Sequence, residues 1–508
     1  MNPFTFFWAK RRVGLVLVPL ASLALLLFGD LDPEHPEVTR MAAVAILMAG
    51  WWITEAIPIP ATALLPVVLF PFLGILSGKG TASLYFNHVI FLFIGGFIFA
   101  LAMEKWDLHR RIALRIILAV GTGPRRMLLG FMLSSWFLSM WISNTATTMM
   151  MMPMAIAIIA QLWEVFGKEH VGRYAVGLLL GIAYAASIGG LATLIGTPPN
   201  IVLVQILDTS FPGAPAIGFS TWFFFALPLS VAFLLVTWLL IFRLFGPAKG
   251  AMKAQASVFR REYAKLGRIT YEEVVILVLF VFLVALWMFR KPIQIGDFSL
   301  GGWSKWAPVP DFIDDGTVAI GIALLLFLIP ARRGVGRLMD WKTANRVNWG
   351  IVLLFGGGFA LAAGFMESGL SVWLTHRLTA LGDLPPVVLV LATCTLITFL
   401  TELTSNTATT QMVLPILASL AIAIGVNPLL LMIPATLSAS CAFMLPVATP
   451  PNAIVFGTGE IRMADMIRGG LVLNLVGIVL ITLTIYTLGE AVLGIDLLSV
   501  PSWAAGGG

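Results

Sequence analysis

Long apolar stretches separated by short polar or basic connections dominate the chain, and each stretch approaches the roughly 20 residues that a helix needs to cross a bilayer. Candidate spans fall near residues 13–29, 40–53, 57–77, 88–104, 172–208, 220–245, 271–289, 316–330, 348–367, 426–458 and 468–495. Two further apolar segments, about 127–163 and 385–424, each carry a polar cluster near the middle and are long enough for two short helices meeting there. We read both as re-entrant hairpins, because irregular backbone at membrane depth survives only where protein or a water-filled cavity covers it. One kinked span each is the alternative, and it would reverse the orientation of everything downstream. Residues 104–120 mix Leu108, Ile112, Ile116 and Ile117 with Lys105, Arg110, Arg111 and Arg115, the pattern of an interfacial helix. Residues 368–381, with Trp373 and Leu374 against His376 and Arg377, occupy the corresponding place later in the chain.

Composition sharpens this to a class. With 59% hydrophobic and 11% charged residues, the 508-residue chain reads as an all-α polytopic membrane protein with no separate soluble domain. Charge then chooses between hairpin and span. With both hairpins returning, 25 of the 31 Lys and Arg lie on one side, and only Arg40, Lys79, Arg290, Lys291, Lys305 and Arg377 on the other. The positive-inside rule therefore predicts eleven spans, a cytoplasmic N-terminus and an external C-terminus. Loops 246–270 and 331–346 are then cytoplasmic, and 291–315 is the largest external loop. The same bias accounts for most of the net charge of +6, so nucleic-acid binding is not implied. The N-terminal basic and apolar segment reads as a retained first span, and residues 504–508 as a flexible tail.

The polar clusters repeat. Ser-Asn-Thr-Ala-Thr-Thr occurs at Ser143–Thr148 and again at Ser405–Thr410, and eight of eleven positions from 143 and from 405 agree. Gly196-Thr197-Pro198-Pro199-Asn200 and Ala448-Thr449-Pro450-Pro451-Asn452 follow in the same order. Two halves that each carry two interruptions of apolar sequence mark a transporter's substrate site near the membrane midplane. Gly95-Gly96-Phe97 and Gly357-Gly358-Phe359 also match, read mainly as close helix packing, with a place on the substrate path as the alternative.

No Lys or Arg occurs at 127–167, 174–242 or 385–459. An anion bound there can be held only by helix N-termini, neutral donors and co-bound cations. Ser, Thr and Asn oxygens, with carbonyls freed where Pro-Pro unwinds a helix, make the hard-oxygen cage that a small alkali cation prefers. Ser139 and Thr401 each lie four residues before a motif, which stacks a hydroxyl one helical turn behind it.

These paired motifs, with the early run Thr54-Glu55-Ala56-Ile57-Pro58-Ile59-Pro60, resemble the divalent anion/sodium symporter (DASS) family over nearly the whole chain. The resemblance implies a homodimer in the plasma (bacterial inner) membrane, with scaffold and transport regions in an inverted repeat and an elevator movement. The regions are then 1–125 (scaffold), 126–245 (transport), 246–384 (linker and scaffold) and 385–508 (transport). The resemblance also implies a first sodium site of Ser139, Ser143, Asn144 and the Gly196 carbonyl. The second would use Thr401, Ser405, Asn406 and the Ala448 carbonyl. Substrate carboxylates would meet Asn144, Thr145, Asn406 and Thr407, with Thr197, Pro198, Thr449 and Pro450 closing the pocket. The implied function is sodium-coupled uptake of four-carbon dicarboxylates such as succinate, malate or fumarate.

Other readings stay open at this point. Helix capping alone would place the same residue types here. We favour binding for Asn144, Thr145, Asn406 and Thr407, whereas Thr147, Thr148, Thr409 and Thr410 fit either. Glu402, whose counterpart is Met140, is read as structural because a fixed anion would repel a dianion; a proton relay is the alternative. A sodium-independent exchanger, or sulfate or citrate as substrate, would use the same pocket, and an anion channel could line a pore with it. An enzyme is not expected, since no nucleophile and base pair up, the five histidines form no metal site, and no phosphate loop is present. Cys394 and Cys441 lie in apolar segments and are read as inert.

Overall fold

The computed structural model describes residues 3–121, 123–247, 256–295, 298–333, 336–379, 384–496 and 499–505. Residues 248–255 of the basic linker, 380–383 of the second interfacial segment and 506–508 of the tail lie outside them, while Ala504 and Ala505 end a short helix, Ser502–Ala505. Helices form the body; a two-stranded antiparallel ribbon, Ile293–Ile295 with Phe298–Leu300, decorates the predicted external loop. Among the described residues, nine helices are long and apolar enough to cross a membrane by length and composition.

Most predicted spans are single helices: Pro3–Phe28, Pro36–Thr54, His88–Lys105, Phe219–Phe245, Tyr271–Met288, Asp315–Leu328, Trp349–Glu367 and Met463–Leu493. The segment 57–77 differs. It is two short helices, Ile59–Thr62 and Leu65–Leu73, because Pro60 and Pro66 each start a piece and cannot donate to the turn before it. The long segments 172–208 and 426–458 are broken helices. Lys168–Gly190 unwinds and restarts as Pro198–Ser210, and Leu429–Ala439 restarts as Pro450–Phe456.

The motif segments are helix pairs. Pro124–Ser139 and Asn144–Phe166 meet at residues 140–143, and Pro386–Thr401 and Asn406–Ala423 meet at 402–405. Each pair packs on the first piece of the broken helix that follows it. The second pieces cross over: Pro198–Ser210 packs against Asn406–Ala423, and Pro450–Phe456 against Asn144–Phe166. This exchange brings all four polar breaks to one place. The glycine pairs serve packing. A Cβ on Gly95 would stand 2.6 Å from the Ala319 carbonyl carbon, and one on Gly357 equally close to Ala63.

Two buried ion pairs fix the frame. Arg111, on the interfacial helix Leu108–Val120, bonds Glu273 at 2.7 and 3.1 Å and donates to the carbonyls of Leu266 and Gly267 at 3.1 Å. Glu273 in turn closes a capping box with Thr270. Arg290 bonds Asp315 at 2.5 Å, and the same carboxylate accepts the Phe219 N–H at 2.7 Å. Both side chains of the first pair are 3% exposed, so removing one partner strands a buried charge. Arg111→Met is expected to destabilise the protein by about 3–5 kcal/mol, and Arg111→Met with Glu273→Leu to recover most of the loss. Thermal unfolding of the detergent-purified protein measures both, and equal destabilisation by the single and double variants would contradict the pairing.

Candidate functional site

A cavity of about 420 Å³ lies where the two junctions and the two breaks meet. It is lined by Ser143, Asn144, Thr145, Gly196, Thr197 and Pro198 from the first half and by Ser405, Asn406, Thr407, Ala448, Thr449 and Pro450 from the second. All eight residues expected to meet substrate are thus brought together. Phe93, Phe97, Ile195, Ile351, Leu354 and Val447 supply apolar wall, and among the described residues no Lys, Arg or His lines the space.

The local sequence makes this site from helix ends. Asn144 and Asn406 are the first residues of their helices, with Ser143 and Ser405 at the N-cap positions. Thr197 and Thr449 hold the same position before Pro198 and Pro450. Proline is pre-shaped for a first helical turn and has no N–H to leave unpaired. Four helix N-termini, three of them on helices of 13 residues or more, therefore begin at the cavity wall and set positive partial charge around it. Four helix C-termini, at Ser139, Gly190, Thr401 and Ala439, end beside them with carbonyls left over from the helix. The cavity wall thus carries positive and negative partial charge together.

The two halves repeat their wiring. Ser139 and Thr401 are fully buried, and their hydroxyls reach the Oδ1 of Asn144 and Asn406, the second at 2.7 Å. Thr401 Oγ1 also stands 2.9 Å from the Ala439 carbonyl oxygen. The Asn144 Oδ1 and the Gly196 carbonyl oxygen lie 2.9 and 3.0 Å from the point a Cβ on Gly190 would occupy. In each half, side-chain and carbonyl oxygens are thus gathered beside a helix N-terminus. Among the described residues, the Nδ2 groups of Asn144 and Asn406 and the hydroxyls of Thr145, Ser405 and Thr407 make no hydrogen bond to protein, which leaves them for a ligand. Ser143 Oγ accepts the Ala146 N–H at 3.2 Å, so capping and binding coexist there.

The later threonines turn inward instead. Thr148 and Thr410 each donate to the carbonyl of their own motif asparagine at 2.8 Å, and Thr409 pairs with Thr404 at 2.6 Å. Cys394 and Cys441 are buried free thiols. No group of three or more His, Cys, Asp or Glu gathers as metal ligands among the described residues.

Some residues that shape the site carry no assignment from the motifs. Asn200 Nδ2 donates to the Gly190 and Thr193 carbonyls at 3.1 and 2.8 Å; Asn452 Nδ2, at the matching place, donates to those of Ala442 and Leu445 at 3.0 and 3.1 Å. These staples hold each unwound segment, and their repetition in Thr-Pro-Pro-Asn was the available signal. Glu402 does not line the cavity. Its carboxylate accepts the N–H groups of Phe443, Met444 and Leu445 at 2.8, 2.8 and 3.0 Å and the Asn474 Nδ2 at 2.7 Å. In the first half Thr193 does comparable work, donating to the Met140 carbonyl at 2.5 Å and accepting the Gly196 N–H at 3.0 Å.

Known proteins align with the chain over nearly its full length. The family profile described as "Sodium:sulfate symporter transmembrane region" matches residues 11–495. A protein named sodium-dependent dicarboxylate transporter SdcS, from Staphylococcus saprophyticus, is 44% identical over 494 residues, covering 96% of this chain and 93% of that one. Its namesake from Staphylococcus aureus strain RF122 is 43% identical over 498 residues, covering 97% and 94%. Among solved structures, Neisseria gonorrhoeae MtrF, titled as illuminating a class of antimetabolite efflux pumps, aligns with a TM-score of 0.56 at 11% identity over 81% of this chain and 84% of its own. The Alcanivorax borkumensis YdaH transporter aligns at 0.52 and 14% identity over 84% and 89%. At such identities these two structures bear on fold alone. On the profile and the near-full-length relatives, the chain belongs to the divalent anion/sodium symporter family, a family of membrane transporters and not of enzymes.

Proposed function

We propose that this protein is a secondary active transporter that couples sodium entry to the uptake of four-carbon dicarboxylates such as succinate, malate or fumarate. The observation that carries the reading is a cavity ringed by helix N-termini, asparagines and threonines with, among the described residues, no basic side chain. A dianion there needs positive charge from co-bound cations, and sodium would supply it at the ligand sets expected of Ser139, Asn144 and Gly196 and of Thr401, Asn406 and Ala448. The relatives named as sodium-dependent dicarboxylate transporters support the same pairing of ion and substrate.

In this reading the helix pairs are re-entrant hairpins of an inverted repeat, entering from opposite sides as the basic residues predict, in an eleven-span homodimer. Asn348, exposed, and Ile59, half-buried, both line the cavity and then lie on the cytoplasmic side, so the site opens inward. Movement of the hairpin regions against the scaffold, elevator fashion, would carry the site across. Glu402 positions the second break and takes no part in ion or proton binding.

In proteoliposomes an inward sodium gradient is expected to drive radiolabelled succinate uptake, and choline in place of sodium to reduce it to background. Uptake in sodium-free buffer driven only by unlabelled succinate inside would instead identify an exchanger, and competition by sulfate and citrate ranks the other substrates. Asn144→Ala and Asn406→Ala are each expected to lower uptake by more than about 100-fold with the folded protein retained, since each loses a cation ligand and a substrate donor at once. Full activity in either would remove that motif from the site. Gly190→Ala places a methyl group between Asn144 and Gly196 and is expected to raise the sodium concentration for half-maximal uptake about tenfold. An unchanged sodium curve would contradict the first cage.

A further inference from the structure

A second cavity, of about 440 Å³, opens between the start of Lys168–Gly190 and the end of Phe219–Phe245, on the side that the orientation proposed above places in the cytoplasm. Glu169, His170, Arg173, Phe242 and Arg243 line it. The two helices pack tightly just beneath, where a Cβ on Gly177 would stand 2.7 Å from that of Phe245. Arg173 Nε donates to the Leu244 carbonyl at 2.8 Å, which ties the guanidinium across the cleft and leaves its other N–H groups for a ligand. Among the described residues Arg243 and Glu169 make no hydrogen bond and no ion pair. Elsewhere on the same face Lys105, Arg110, Arg111 and Arg346 are each matched by a carboxylate, of Asp340, Glu262, Glu273 and Glu104 respectively. The positive charge of this cleft is left unmatched.

An apolar surface runs into that charge. Val231, Leu235 and Leu239 are exposed and recur every four residues along Phe219–Phe245, and Arg243, also exposed, follows at the same spacing. Trp238 and Arg125 mark the boundary beside it. The Trp238 indole N–H donates to the Arg125 carbonyl at 3.0 Å, and the Arg125 guanidinium lies 4.7 Å from the ring centre of Trp238 and 6.0 Å from that of Phe242. An indole and an arginine so stacked at a helix end belong at the level of lipid headgroups.

We infer that this cleft is a binding site for an anionic phospholipid, its phosphate met by Arg173 and Arg243 and its acyl chains laid along Val231, Leu235 and Leu239. Charge alone would suit a free phosphate equally well, but the stripe has a use only for a ligand with a hydrocarbon tail. Two arginines facing one phosphodiester also favour an anionic headgroup over a zwitterionic one, whose own ammonium cancels part of their field. The cleft shares no lining residue with the cavity of the four breaks, so the inference stands whatever that cavity carries.

Native mass spectrometry of the delipidated, detergent-purified protein, titrated with phosphatidylglycerol or phosphatidylcholine, measures the preference. The wild-type protein is expected to bind phosphatidylglycerol about tenfold more tightly, and Arg173→Gln with Arg243→Gln to lose most of that preference. Arg333→Gln with Lys342→Gln, which removes the same charge from exposed positions elsewhere, is expected to keep it. Because Arg173 also holds the Leu244 carbonyl, Arg243→Gln carries the test by itself, with an expected fall of about threefold or more. Glycerophosphoglycerol, the same headgroup without acyl chains, and inorganic phosphate are expected not to displace the lipid at equal concentration. An unchanged preference in Arg243→Gln would overturn the inference, as would an equal loss in the control pair, which would mean diffuse attraction to a basic surface. Displacement by glycerophosphoglycerol or phosphate would overturn it too, by making the cleft a site for soluble phosphates and not for lipid.

Discussion

Everything in this structure depends on the cost of holding charge inside an apolar body without a charged partner. A carboxylate or a sodium ion taken alone from water into such an interior loses far more hydration energy than neutral hydrogen bonds return. At the cavity the chain meets this constraint with backbone, not with Lys or Arg. Two helix pairs and two broken helices end at one cavity, so the peptide N–H groups of helix N-termini and the carbonyls of helix C-termini meet there. Such partial charges are fixed in place and need little reorganisation when ligands arrive. In the proposed mechanism each ion makes the other's binding affordable, and coupling follows from electrostatics without a separate device.

Unwound backbone at the core of a membrane protein has to be held, and the two halves do this differently. Asn200 and Asn452 make matching staples, inherited from the repeat. Beyond them the symmetry lapses. The first half uses Thr193, together with the indole of Trp222, which donates to the Leu191 carbonyl at 3.0 Å. The second half uses Glu402 and Asn474, clamping three consecutive backbone N–H groups. A buried carboxylate with four N–H donors has its charge dispersed over them, which is why it can sit 3% exposed in the interior. The crossing of Pro198–Ser210 and Pro450–Phe456 onto the opposite helix pairs then makes each half complete the other's wall.

Much of this was legible in the sequence because membrane and repeat constraints are strict. Apolar length located most helices, the doubled motifs located the junctions and breaks, and the absence of Lys and Arg announced how an anion would have to be held. What escaped reading depends on contacts far apart in the chain or on local backbone shape. Glu402 could be flagged as an anomaly, but its partners lie about 40 residues downstream, on an unwound segment whose exposed N–H groups no periodicity reveals. The segment 57–77 looked like one span because its hydrophobicity is continuous, whereas its prolines divide it into two short helices. Glu55 lies in a run that helped identify the family, yet its left-handed turn and its place on the cavity wall are properties of the fold. Gly190 is one of 48 glycines, and only its nearness to Asn144 and Gly196 sets it apart.

In the proposed mechanism sodium supplies the positive charge that no basic side chain among the described residues brings to the pocket. Calorimetric titration of succinate into the purified protein at a series of sodium concentrations, with choline holding ionic strength constant, tests it most directly. Succinate affinity is expected to rise steeply with sodium, and succinate to tighten sodium binding by the same factor, as reciprocal linkage requires. Equal succinate affinity in sodium and in choline would contradict it.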